Sequence, residues 1–179
     1  MAKSLEDKIN DNHIVFITSK MSPKQVSETI LKILGWSEID DEQVINIYLT
    51  GECRYSLDYL AIYDVLNSIN NPINVFCFGL VSGYTMIFLA LPHRGKRYGL
   101  RHGAFELAQP YGSMSFGVNQ ETEIGIEAKR LSEDRAVFEE ILSKGLNKPL
   151  EVIHQDVEND HEMTAEEALE YGLIDEILE

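Results

Sequence analysis

The sequence predicts an α/β fold built around a partly parallel sheet. Three observations carry this. Short β-branched and aromatic runs alternate with longer segments of helical period. One run, residues 75–78, lacks polar alternation, as a strand covered on both faces does. Two helix starts are fully written, Ser22-Pro23 with Gln25 and Thr164 with Glu167.

Each element follows in order. Residues 13–18 (HIVFIT) form the first strand. Ser22 caps a helix whose stripe is Val26, Ile30, Leu31 and Leu34, and Gly35 is its natural stop. The acidic residues 38–42 read as an exposed loop. Residues 44–49 (VINIYL) are the next strand. Ser56 caps a helix carrying Leu57, Leu60, Ala61, Val65 and Ile69, closed by Asn71-Pro72. The strand at 75–78 leads through a turn at 79–83 into the apolar run 86–91. Residues 97–100 and 104–107 are two further strands. Met114, Phe116 and Val118 alternate with polar residues, as in an exposed strand. A long helix follows over 123–145, with Ile124, Ala128, Leu131, Phe138, Ile141 and Leu142 on one side. A short helix runs from Thr164 to a stop at Gly172, and 173–178 is a last strand. The 179 residues make one domain with a projecting helix–strand element.

Charge and composition exclude several functions. Thirty acidic against 15 basic side chains give a formal net charge of -15. Nucleic acid and anionic membrane surfaces, which demand a basic face, are not expected partners. No run approaches the roughly 20 apolar residues that cross a bilayer. The N-terminal MAKSLEDKIND does not read as a secretory signal. Cys53 and Cys77 are too few for a disulfide framework or a cysteine zinc site. The expected compartment is the cytoplasm, or an organelle interior if a targeting segment has been removed.

The sharpest local feature is the turn at 79–83. A strand-to-helix turn presents amide groups where negative charge is favoured, and in a hydrolase it holds the nucleophile and part of an oxyanion hole. Ser82 is the only hydroxyl there before Thr85, and it lies outside a G-x-S-x-G elbow. Its ordinary reading is a helix N-cap. The five histidines, His13, His93, His102, His154 and His161, show no metal-binding spacing. His154 and His161, with Asp156, Glu158 and Asp160 between them, make at most a loose metal site; the ordinary reading is a mixed surface loop. No glycine-rich phosphate loop occurs. Neither a metal nor a cofactor is expected.

Further residues occur in a known order: Ile62-Tyr63-Asp64, Gly79, Phe88-Leu89-Ala90, Gly95-Lys96-Arg97-Tyr98, Gln109-Pro110, Glu158-x-Asp160, and Glu167-Ala168-x-Glu170-Tyr171-Gly172-Leu173-x-Asp175. In these the chain resembles the Clp protease proteolytic subunit (ClpP) family over nearly its whole length. The resemblance implies a ClpP/crotonase-like spiral of ββα units. It implies a head of residues 1–111 and 150–179 and a projecting handle of residues 112–149. It also implies seven-membered rings and an AAA+ Clp ATPase that feeds them.

At the site the chain departs from the family pattern. The family's nucleophilic serine falls on Gly83 and its histidine base on Ala108; the aspartate matches Asp160. The Gly-Gly on the oxyanion side is replaced by Cys53-Arg54, with Tyr84 following the nucleophile position. Removing a triad serine or histidine costs about a million-fold in turnover, and losing both costs little more. Ser82 is an alternative nucleophile. A one-residue shift rotates a helical side chain by about 100° and moves it about 1.5 Å, and about an ångström of misplacement can cost a hundred-fold. Asp160 then takes a structural role, such as pairing with an arginine at a subunit contact.

The reading is a catalytically inactive, ClpR-type subunit that acts in ring assembly, as a homo-oligomer or with an active ClpP paralogue. The alternatives are an active serine peptidase using Ser82, a crotonase-type acyl-CoA enzyme with Glu106 as its acid, and a stand-alone peptide-binding pseudoenzyme.

Overall fold

The computed structural model describes residues 3–53, 57–92, 95–110 and 121–179. In chain order these form α1 (Leu5–Asp11), β1 (Ile14–Ile17), α2 (Pro23–Ile39), β2 (Ile45–Cys53), α3 (Leu57–Ser68) and β3 (Ile73–Gly83). A 3-10 helix (Tyr84–Ala90), β4 (Arg97–Leu100), β5 (Ala104–Leu107) and α4 (Glu121–Leu146) follow. The chain closes with α5 (Leu150–Glu158), β6 (His161–Thr164), α6 (Ala165–Tyr171) and β7 (Glu176–Leu178).

Strands β1, β2, β3, β4 and β7 lie side by side in that order, all parallel. Strand β5 joins β3 in parallel, and β6 runs antiparallel to β5. β3 is the hinge of the topology. Its first half, Val75 to Cys77, pairs with β4, while Leu80 to Ser82 pair with β5. Between the halves Gly79 takes φ 65°, which a glycine adopts without steric cost. Four steps of β3 (Cys77 to Val81) there face two of β2 (Leu49 to Gly51). This irregularity sends the strand's end out of the main sheet and toward β5.

The strand period of two separates the faces of the sheet. Ile45, Ile47, Leu49, Val75 and Cys77 are buried on one face. On the other, Phe16, Tyr48, Phe76 and Tyr98 stand in a row, with ring centroids 5.4, 5.1 and 4.7 Å apart. The 3-10 helix is buried along its whole length. Helix α4 packs on it only through its inner end, where Phe138 and Leu142 are buried. At its outer end Ile124 and Ile126 are exposed.

Several expectations are corrected. Gly35 does not stop α2, which continues to Ile39 because Trp36 is buried and stacks on His13. Residues 38 and 39 are therefore helical rather than loop. The buried face of α2 is Val26, Thr29, Ile33 and Trp36, leaving Leu31 and Leu34 outside. The buried face of α3 is Tyr59, Ile62 and Leu66, leaving Leu57 and Ala61 exposed. In both helices an apolar window held two overlapping stripes, and the one with the larger aromatic residue went inward. The strand at 75–78 is the middle of an 11-residue strand, and the last strand is shorter than 173–178. Helices α1 and α5 and strand β6 had not been expected. Ser56 and the strand at 114–118 lie outside the described residues.

Candidate functional site

The turn after β3 builds the site. Val81 and Ser82 are fully buried, and Gly83 ends the strand at φ 62°, ψ −136°. That pair of angles is close to a glycine-only region, and a side chain held there is strained. Gly83, not Ser82, caps the 3-10 helix, and no side chain bonds to that cap. The N-cap reading of Ser82 is thereby overturned: Ser82 still lies in the strand.

Thr85 completes the turn. Its Oγ1 accepts the Ser82 N–H at 3.0 Å and lies within donating reach of the carbonyls of Gly51 and Ser82, at 3.0 and 2.8 Å. The turn therefore satisfies one of its own amides, which in a buried segment would otherwise cost about 1–3 kcal/mol. Tyr84 points into the core. Its hydroxyl donates to the Asp134 carbonyl of α4 at 2.8 Å, and its ring packs on Phe138.

The sheet brings the other candidate positions to this point. Cys53 is the β2 partner of Gly83 and is buried. Cys53 also lies beside the Tyr59 phenol, which burial first and Cys53 second push well above the ordinary tyrosine range. Tyr59 donates to the Thr18 carbonyl. Arg54 lies outside the described residues. On the β5 side Ser82 pairs with Glu106, and Ala108, buried, follows the end of that strand. Leu107 pairs with His161, so Ala108 and Asp160 meet at the same strand ends. Asp160 takes φ 46° and accepts the Gln109 N–H at 2.9 Å. Within the chain Asp160 takes a structural role toward the main chain just past β5. Positions 83, 108 and 160 thus converge by topology, with a side chain capable of acid–base work only on Asp160.

Ser82 has a different partner. Its Oγ donates to Glu106 Oε2 at 2.5 Å. Glu106 is thus engaged with Ser82 across the sheet, and it also lines a cleft with Leu80, Phe105, Glu162 and Thr164. The described histidines serve elsewhere. His13 stacks on Trp36, His102 is exposed in the turn after β4, and His93 lies outside the described residues. His154 Nδ1 lies 2.9 Å from Glu139 and His161 Nδ1 lies 3.0 Å from Asp156. Glu158 is held by Arg135 at 2.5 Å. The loose metal site drawn over residues 154–161 is thereby undone, because its side chains answer to separate partners. Among the described residues no cluster of three or more His, Cys, Asp or Glu is placed to hold a metal ion.

Sequence reasoning missed Thr85, the Ser82–Glu106 pair and Arg135. For α5 a signal was present: Leu150, Ile153 and Val157 at helical spacing behind Pro149. The Ser82–Glu106 bond, the Thr85 bond to Gly51 and the Arg135 bond to Gln109 join residues 24 or more apart, which no local pattern announces. The Thr85 bonds to Ser82 span only three residues and were within local reach.

Among the described residues no helix is long and apolar enough to cross a membrane. The family model for Clp protease matches residues 2–179. A mixed α/β fold with a mainly parallel sheet agrees with it. The chain belongs to the Clp protease family.

Proposed function

We propose that this chain is a non-catalytic subunit of a Clp protease assembly. Its role is structural or regulatory within the ring. The observation that carries the proposal is at position 83. The backbone there has the strained form suited to a nucleophile at the end of a strand, yet the residue is glycine and has nothing to attack with. At position 108 an alanine stands where a base would, and Asp160 is bonded to a main-chain amide. Family members oligomerise and work with Clp ATPases. For this chain we infer assembly with itself or with an active paralogue, and docking to a Clp ATPase of the AAA+ class. Residues 112–149 would serve as the handle and the rest as the head. The place of action would be the cytoplasm or an organelle interior.

The displaced-nucleophile reading makes Ser82 the attacking group. Against it, Ser82 is fully buried and its hydroxyl points at a carboxylate rather than an imidazole. A fluorophosphonate probe separates the two. The expected result is no labelling of the native chain and labelling of the Gly83→Ser/Ala108→His double variant, with a melting curve showing that the variant is folded. Labelling of the native chain that disappears in Ser82→Ala would overturn the proposal. Native mass, measured alone and after mixing with an active paralogue, then reports the assembly role.

A further inference from the structure

Arg135 sits on the turn of α4 just before the helix leaves the core, and its side chain is 20% exposed. Its guanidinium reaches three parts of the chain. Nε meets Glu139 Oε1 of its own helix at 2.6 Å. Nη2 meets Glu158 Oε2 of α5 at 2.5 Å and the His154 carbonyl at 3.4 Å. Nη1 meets Gln109 Oε1, one residue past Ala108, at 3.2 Å. Gln109 itself donates Nε2–H to the Glu158 carbonyl at 3.1 Å and its main-chain N–H to Asp160 at 2.9 Å. Glu139, buried, has His154 Nδ1 on its other oxygen at 2.9 Å.

We propose that Arg135 is a latch that couples the docking of α4 to the geometry of the Gln109–Asp160 pair. The apolar contacts of α4, Phe138 and Leu142, lie C-terminal to this point. They anchor the inner end of the helix. Arg135 adds a polar link from α4 to the residue just past Ala108, at the end of β5. A planar fork with donors on three nitrogens can hold three acceptors at fixed angles, which a lysine cannot. The residue that replaces the family's base is thereby flanked by a strut running to the long helix. A shift of α4 is transmitted to Asp160, and a shift at Asp160 to α4. The inference concerns this coupling alone and holds whether or not the cleft is catalytic.

Hydrogen–deuterium exchange on the intact chain tests it. The Arg135→Met variant should raise exchange about tenfold or more at the amides of residues 107–109 and 159–162 as well as at 131–139, because charged hydrogen bonds of this kind contribute more than ordinary ones. Coupling is reciprocal, so Gln109→Ala should raise exchange at residues 131–139 of α4. Arg135→Lys should restore protection within α4 and leave residues 107–109 loose. Lys129→Met, which removes an exposed pair with Glu133 on the same helix, is the control and should change neither region. If Arg135→Met loosens only 131–139, or Gln109→Ala leaves α4 unchanged, Arg135 is a local helix contact and the latch is wrong. If Arg135→Met does not fold, Gln109→Ala and Arg135→Lys decide the question alone.

Discussion

Gly83 holds φ 62° and ψ −136° at the end of β3, a setting in which any β-carbon is strained. Gly83→Ala should therefore destabilise the chain by about 1–3 kcal/mol. Urea unfolding would show it as a lower midpoint at unchanged slope; no change would mean that the turn relaxes and the strained form is not imposed by its surroundings. Ser82 teaches a related lesson. Serine at a strand-to-helix turn is a good cap by local preference. Here the cap falls one residue later, and the hydroxyl meets Glu106 from a strand 24 residues away. The candidate positions Gly83, Ala108 and Asp160 could be named from motifs, but which hydroxyl bonds to which carboxylate could not.

Among the elements, α4 gives the sharpest contrast. Gly125 and Gly145 lie on one helix, and local propensity treats them alike. A β-carbon at Gly125 meets nothing within 4 Å, whereas at Gly145 it would stand 2.0 Å from the Ala90 carbonyl oxygen. Gly125→Ala should stabilise by up to about 1 kcal/mol, while Gly145→Ala should destabilise by about 1–3 kcal/mol through overpacking against the 3-10 helix. Thermal melts of the two variants should move in opposite directions; a shared direction would refute this account of how α4 docks. The legibility of the elements followed the same line. Capping boxes at Ser22 and Thr164 were read correctly because they are contacts three residues apart. The inward faces of α2 and α3 were misread, because choosing between two overlapping apolar stripes requires the sheet they pack on.

For the whole molecule, acid is the informative variable. The Glu167 carboxyl lies below its ordinary range because it accepts the Thr164 N–H first and the Thr164 hydroxyl second. Asp7 is lowered in the same way, by the Ser4 hydroxyl and then its N–H. Glu140 is lowered by Lys144. A group whose folded value is depressed stabilises the fold above its unfolded value, and that contribution is lost as pH falls through the folded value. Stability should hold down to about the ordinary carboxylate range and fall below it. The variant Glu167→Gln, lacking the titrating group, should lose less melting temperature than the native chain between about pH 5 and about pH 3. An identical loss would show that this cap does not contribute to acid unfolding. The formal charge of -15 adds a second effect: protonation relieves self-repulsion, so added salt should raise stability most near neutral pH.

Period, capping and composition were local or additive properties, so residue order alone established the α/β class, most of the strands, and the family by its C-terminal motif. Absence is also local: glycine at 83 and alanine at 108 are plain in the chain. What waited for the folded chain was every pairing across distance. The split of β3 between β4 and β5, the burial of Trp36, the bond from Ser82 to Glu106 and the reach of Arg135 to Gln109 all join segments separated by other elements. Such contacts depend on which faces the sheet and helices turn toward one another. That choice is made by packing the whole core at once, and no window of neighbouring residues contains it.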